Sequence, residues 1–342
     1  MEVPERLAAR LASEPDAGRG WLAALPGTVE RLCATWSLTL DDPIEPGGVT
    51  SIVFPARRGG PEGSAPDGRV HSDDTSTGST CERSTSAGQG PAMGFTAVVK
   101  IPVPDVEVAP EAAGLALVDG DGAVRLSAYD RESGSMLLEA ADPHRSLLDL
   151  ADAEEATRIA ADLLRRWWRS VPTPAEAPIP RLTDVGPDLA AELRRRRPWL
   201  AQEIDSVLID RAVSTLADPD PAADTLLHTD LHQGNVLRAA REPWLIIDPK
   251  PLVGERAYDL EPLLRDHRGD VPGQEAIRRR FDTTSAQLGL DRDRARDWVI
   301  ARSVLLGSGS LQVRDGFGSR QLRVAEALAL RQGPSSRQGP SG

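Results

Sequence analysis

The run His228-Thr-Asp-Leu-His-Gln-Gly-Asn235, followed by Leu245-Ile-Ile-Asp-Pro-Lys250, constrains this chain more than any other stretch. Asp230 stands five residues before Asn235, and Asp248 closes an apolar, strand-like run thirteen residues further on. Singly, each residue has a plain reading: a loop Asp capping a turn, an Asn after Gly234, an Asp-Pro turn. Together they carry the order of groups that phosphoryl transfer from ATP requires. One carboxylate orients the attacking hydroxyl, while an amide and a second carboxylate hold Mg²⁺. Asp230 is therefore the candidate catalytic carboxylate. Asn235 and Asp248 are the candidate Mg²⁺ ligands, oxygen donors suited to a hard cation that also binds phosphates. His228 is expected to hold the catalytic loop by hydrogen bonds, and His232 to do likewise. A transition-metal site on His228 and His232 is the rival reading, and no Glu-flanked helical His pair or Cys cluster supports it.

Lysine usage adds a second signal. Only Lys100 and Lys250 are lysines among 40 Lys+Arg. A lysine retained in such a chain marks a position where the planar fork of arginine is a poor substitute. Lys100 ends Ala97-Val-Val-Lys100, a buried-strand pattern in which an ammonium needs an anionic partner. Glu111, eleven residues on, opens a helical stretch and is the expected partner that aims Lys100 at nucleotide phosphates; Glu107 competes for that place. Neither lysine follows a glycine, so the chain holds no P-loop of the Gly-x₄-Gly-Lys-Ser/Thr type. The backbone N–H groups of Gly47 and Gly48, between two strand patterns, are the candidate phosphate cover, with a plain hairpin turn as the alternative.

The first part of the chain reads as strands and the second as helices. Trp21–Trp36 has helical apolar spacing, and Ser37–Leu40, Ser51–Arg57, Phe95–Ile101, Ala123–Tyr129 and Ser135–Glu139 read as strands. Helices are expected over Glu154–Val171, Pro187–Arg197, Pro198–Leu216, Glu255–His267, Glu275–Leu288, Arg292–Leu306 and Ser319–Leu330, the second and third each opening on a proline. The result is an α+β chain in two lobes: residues 1–139 for the nucleotide, and 140–332 for catalysis and the acceptor. Residues 59–93, rich in Gly, Ser, Thr and Pro, are expected to be a disordered insertion, and 333–342 a disordered tail. A formal charge of −12 argues against nucleic acid and anionic membrane as main partners. Two cysteines, Cys33 and Cys81, make no disulfide framework. No segment approaches 18 apolar residues, and the expected location is the cytoplasm.

On these residues the chain resembles the aminoglycoside phosphotransferase-like kinases, in the streptomycin 6-phosphotransferase and hydroxyurea phosphotransferase branch. The likeness rests on His228–Asn235, Ile247-Asp-Pro-Lys250, Gly254-Glu-Arg-Ala-Tyr-Asp259 and Gly120-Asp-Gly-Ala-Val-Arg-Leu126. It implies a bilobal protein-kinase-like fold, with a small N-terminal antiparallel-sheet lobe and a larger, mainly helical C-terminal lobe. It also implies ATP with Mg²⁺, and a small hydroxylated acceptor, with or without cationic groups, such as a streptomycin-like aminocyclitol. Met136–Ala141 resembles the lobe-connecting hinge, where the backbone of Glu139 and Ala141 would bind the adenine edge. Glu255, Asp259, Glu261 and Asp266 follow the second metal ligand closely and are the candidate acceptor-binding acids; the plainer role for Asp259 is to brace the catalytic loop. Three departures stand out: Thr229 replaces the family's usual Gly between His and Asp, the insertion before Lys100 is unusual, and residues 306–313 lack the Trp and acidic residues that related chains commonly carry. The alternatives are a nucleotide-binding pseudokinase and a kinase of a sugar or amino-sugar metabolite.

Overall fold

The structure is a computed structural model that describes residues 3–13, 15–45, 47–58, 95–103, 108–171, 178–265, 273–311 and 317–329. The expected insertion at 59–93, Cys81, Glu107, Asp266 and the 333–342 tail lie outside the described residues. The chain forms two compact units, Met1–Val106 and Glu107–Gly342.

The first unit contains α1 (Glu5–Ser13), α2 (Pro15–Trp36), β1 (Leu38–Leu40), β2 (Ser51–Arg58) and β3 (Ala97–Pro102). β1 pairs antiparallel with β2, and β2 antiparallel with β3, setting Val53 opposite Lys100. Alternating apolar residues bury one face of this sheet: Ile52, Phe54 and Ala56 from β2 and Val99 and Ile101 from β3 are almost fully covered. The helical spacing of α2 buries Leu25 and Leu32, and the Trp21 indole donates to the Pro102 carbonyl at 2.8 Å. Pro26 lies inside α2 on its exposed side.

The second unit opens with α3 (Ala109–Val118), β4 (Leu126–Asp130), β5 (Ser135–Glu139) and β6 (Ala141–Ser146). β4 and β5 form an antiparallel hairpin, and only Ala140 separates β5 from β6. Then come α4 (Ala153–Trp167), α5 (Leu182–Leu200), α6 (Ser206–Ala217), β7 (Thr225–Leu227), β8 (Val236–Ala239), β9 (Trp244–Ile246) and β10 (Leu252–Gly254). Helices α7 (Glu261–Leu264), α8 (Gln274–Leu288), α9 (Arg292–Leu311) and α10 (Phe317–Ala329) complete it. β6, β8 and β9 make one antiparallel sheet, and β7 and β10 a second two-stranded one.

Three sequence readings change. The two helices expected over 187–197 and 198–216 are instead α5, which runs through both Pro187 and Pro198, and a separate α6. Pro187 is exposed, so the carbonyl it leaves without an N–H partner is on the solvent side of the helix. Gly186 faces inward, where a Cβ would lie 2.5 Å from the Leu216 carbonyl oxygen, so α5 and α6 approach closely. The helix expected over 255–267 is a 3₁₀ turn at Arg256–Leu260 running into the one-turn α7. The Gly-Ser run after Leu306 continues α9 as far as Leu311. A Cβ on Gly307 would meet Leu322 at 2.8 Å, and the buried Ser308 hydroxyl accepts from Arg196 at 2.9 Å. Small residues there let α10 close on α9.

Candidate active site

The site is built where β7 runs out into the loop 228–235. His228 is fully buried. Its Nε2 faces the Ile247 carbonyl at 3.2 Å, and its Nδ1 accepts the backbone N–H of Asp230 at 3.2 Å. That pair of contacts fixes the Nε2–H tautomer. Trp167, the last residue of α4, stands edge-on to the ring at 5.1 Å. Burial pushes the imidazole down to about 3, so it is neutral at physiological pH. Both nitrogens are engaged, which leaves no lone pair for a transition metal. His232 is depressed to about 4, again by burial first, and its Nδ1 accepts the Gly234 N–H at 3.0 Å. Both histidines therefore hold the loop.

Asn235 and Asp248 come together through the β8–β9 hairpin. Val236 pairs with Ile246, and beyond that pair the Ile247 N–H donates to the Asn235 carbonyl at 2.9 Å. The Asn235 amide nitrogen donates to the Asp230 carbonyl at 2.9 Å, which leaves the amide oxygen as the end available to a ligand. Asp248 adopts a left-handed backbone, φ 55°, a conformation that aspartate tolerates better than most residues. An amide oxygen beside a carboxylate fits a hard divalent cation. Among the described residues no cluster of three His, Cys, Asp or Glu side chains could hold a metal.

Asp230 is partly covered, with its side chain one-third exposed. Burial raises its carboxyl above the usual range, against the pull of Arg265 and Arg302. The Arg265 guanidinium is 3.4 Å from Asp230 Oδ1 and clasps Glu261 at 2.8 Å. Arg302 is buried, donates to the Tyr258 carbonyl at 2.8 Å and the Thr229 carbonyl at 2.6 Å, and lies over the Tyr258 ring. Neither arginine stands out in the sequence. The contacts that give them meaning span 35 and 73 residues.

Thr229 holds φ 61°, an outlier for a β-branched residue. Its N–H donates to Asp259 at 2.7 Å and its hydroxyl to the Lys250 carbonyl at 2.6 Å. Such a backbone costs roughly 1–3 kcal/mol. The hydroxyl bond, the one contact that a glycine would lack, offsets about 1 kcal/mol of it.

Three of the four acids expected to face an acceptor are placed otherwise, and Asp266 lies outside the described residues. Asp259 is 1 % exposed, and its carboxylate accepts from His228 N–H, Thr229 N–H and the Trp168 indole. Glu261 is fully buried against Arg265. Glu255 accepts from Asp220 N–H and pairs with Arg294 at 2.6 Å. This corrects the acceptor-binding reading for these three: their charges are consumed inside the fold, and Asp259 braces the catalytic loop.

The nucleotide-side candidates fall in both units. Lys100 is buried on β3 between Val99 and Ile101, and Glu111 is buried in the first turn of α3. Gly47 has a packing reason to be glycine, since a Cβ would lie 2.7 Å from Pro4, whereas Gly48 is unobstructed. Glu139 ends β5 with its side chain on Arg241 at 2.9 Å, and Ala141 opens β6 opposite Ala239. Arg241, Glu242, Arg166 and Asp121 extend the Glu139 pair into a chain of ion pairs, each link 2.7 to 2.8 Å.

Residues 82–316 match the family described as aminoglycoside/hydroxyurea antibiotic resistance kinase. The chain is 35% identical over 338 residues to a streptomycin 6-kinase of Streptomyces glaucescens, covering 97% of each. It is 34% identical over 344 residues to a hydroxyurea phosphotransferase of Kitasatospora aureofaciens, covering 97% of this chain and 87% of that one. Among solved structures it is similar to a choline kinase from Streptococcus pneumoniae, with a TM-score of 0.52 at 13% identity, covering 88% of this chain and 96% of that one. That likeness supports the protein-kinase-like α+β fold expected from the sequence. By these matches the chain belongs to the aminoglycoside/hydroxyurea antibiotic resistance kinases and is a phosphotransferase with an alcohol-type acceptor.

Proposed function

We propose that this chain transfers the γ-phosphoryl group of ATP to a hydroxyl of a streptomycin-like aminocyclitol. The observation that carries the reading is the convergence of Asp230, Asn235 and Asp248 on two hydrogen-bonded loops, in a chain whose relatives at about one-third identity are named streptomycin 6-kinases. Asp230 accepts the acceptor's proton; burial raises its carboxyl, and Arg265 and Arg302 oppose that rise. Asn235 and Asp248 hold Mg²⁺, which neutralises charge on the phosphates. His228 keeps the loop in register. Lys100, aided by Glu111, binds nucleotide phosphate; Gly47 and Gly48 cover it; and the backbone of Glu139 and Ala141 receives the adenine edge. On this reading residues 1–139 serve the nucleotide and 140–332 the acceptor. No helix among the described residues is long and apolar enough to cross a membrane, which suits an enzyme acting on dissolved substrates.

A second reading has its own support. Hydroxyurea carries an N-hydroxyl that the same loop can phosphorylate, and the similarity to a hydroxyurea phosphotransferase extends over 97% of this chain.

The deciding experiment incubates the protein with ATP·Mg²⁺ and a panel of aminocyclitols, neutral polyols, amino sugars and hydroxyurea, read by mass spectrometry for a phosphorylated product. Streptomycin is the first acceptor to try. Asp230→Asn should lower turnover by about 10²–10⁴-fold while ADP binding persists. Wild-type turnover by that variant sinks the assignment.

A further inference from the structure

Phosphoryl transfer needs positive charge on the oxygens of the group in flight, and a well-placed cation is worth about 10³–10⁵-fold in rate in some phosphotransferases. Three cationic side chains lie around the two loops. Arg265 is only 10% exposed and is clasped by Glu261. Arg302 is buried, with two guanidinium nitrogens committed to backbone carbonyls. Lys250 differs from both: its side chain is 41% exposed, and its Nζ rests 2.6 Å from Asp248 Oδ1.

The backbone of Lys250 is pinned on both sides. Its N–H donates to the His228 carbonyl at 2.9 Å, and its carbonyl accepts the Thr229 hydroxyl at 2.6 Å. The part-exposed ammonium therefore rides on a backbone fixed to the loop 228–235.

We propose that Lys250 is a further catalytic residue, whose ammonium exchanges the Asp248 carboxylate for the non-bridging oxygens of the transferring phosphoryl group. The inference rests on the kinase reading above. An ammonium and a divalent cation on one carboxylate repel each other at contact distance, so Lys250 gives up Asp248 when that residue serves as a metal ligand. The anion it then neutralises is the phosphate. Three rotatable donors on a flexible stem allow the exchange, whereas a guanidinium fork would stay bidentate on Asp248. This explains a lysine here in a chain that has only two among 40 Lys+Arg.

In the step itself the acceptor oxygen bonds to phosphorus. The bond from phosphorus to the bridging oxygen of the nucleoside diphosphate breaks, its electron pair going to that oxygen. The hydroxyl proton passes to Asp230. Lys250 keeps its proton throughout and contributes charge alone.

The test compares wild type, Lys250→Met and Lys250→Arg, each first checked for an unchanged melting temperature. Lys250→Met should lower kcat by about 10²–10³-fold, with the KM for ATP within about threefold, and Lys250→Arg should not restore it. The second readout is Mg²⁺ titrated against the protein–ADP complex by calorimetry: removing the competing ammonium should tighten Mg²⁺ binding, by up to about tenfold. If the wild type is active and Lys250→Met keeps kcat within about threefold, or if Lys250→Arg matches the wild type, this proposal falls and the kinase reading stands. If the wild type transfers phosphate to no acceptor and not even to water, both fall together.

Discussion

The Thr229 hydroxyl donates to the carbonyl of Lys250 at 2.6 Å and so ties the catalytic loop to the loop carrying Asp248. It does so from a backbone conformation, φ 61°, that β-branched residues seldom adopt. The bond offsets part of the strain at Thr229, and the greater backbone freedom of an unfolded glycine would offset more. Thr229→Gly should therefore leave stability within about 1 kcal/mol of wild type, because it relieves the strain while losing the bond. Thr229→Val keeps the strain, deletes the donor and leaves a carbonyl unsatisfied; it should cost about 1–3 kcal/mol. Urea unfolding of the two variants checks this, and a valine variant as stable as wild type would show that the hydroxyl contributes nothing.

Asp259 tests whether acidity after the metal ligand serves the acceptor or the fold. Its carboxylate receives two backbone N–H groups and an indole. Asp259→Asn presents an amide nitrogen to one of those donors. A loss of about 2–4 kcal/mol is expected, since the removed bonds are charge-assisted and buried. Turnover should fall as the loop loosens. A drop confined to the KM for cationic acceptors, with the melting temperature unchanged, would return Asp259 to the acceptor pocket.

With Asp230 as the proposed proton acceptor, its protonation should set the acid limb of the rate. Only its ionised form accepts a proton, and burial raises its pKa above the ordinary 3.8 while Arg265 opposes that rise. The wild-type kcat should therefore decline on the acid side above the pH where a free aspartate would titrate. The paired variant Arg265→Gln/Glu261→Gln removes the nearby cation without stranding a buried carboxylate, and should shift the acid limb to higher pH. An unshifted limb would mean that a group other than Asp230 controls it.

Two loop histidines make the fold acid-sensitive. His228 and His232 titrate at about 3 and about 4 in the folded chain, against 6.5 for an ordinary histidine. Between 6.5 and about 4 the unfolded chain binds protons at both sites and the folded chain does not, so stability falls as the pH is lowered through that window. The slope is at most about 1.4 kcal/mol per pH unit for each histidine. Urea midpoints at about pH 7 and about pH 5 should differ accordingly, and His232→Gln should flatten the dependence. Equal midpoints would contradict the burial of both rings as neutral species.

The residues proposed for the chemistry stand out in the sequence where they are contiguous. Asp230, Asn235 and Asp248 carry their spacing there, and the scarcity of lysine singles out Lys100 and Lys250. The apolar periodicity of α2, α4 and α8 gave those helices to within a few residues. Arg265 and Arg302 were not legible, because in an arginine-rich chain nothing local separates a guanidinium beside Asp230 from one on the surface. The prolines misled for a related reason: position alone marks a helix start, and only the exposure of Pro187 shows that α5 tolerates it mid-helix. Asp259 and Glu261 read as candidate acceptor-binding acids, with loop bracing as the plainer role for Asp259, and the structure sets Trp168 against Asp259 and Arg265 against Glu261.

The lysine economy of the chain has a practical side. Lys100 is buried at 7% exposure, while Lys250 is 41% exposed beside Asp248. A reagent that acylates ε-amines thus meets one accessible side-chain target, and it lies in the catalytic loop pair. If Lys250 has the proposed role, coupling the protein to an amine-reactive support through its side chains would block phosphoryl transfer. Conversely, the extent of acylation at Lys250, followed by peptide mass, becomes a single-site gauge of how fully that pair of loops is occupied.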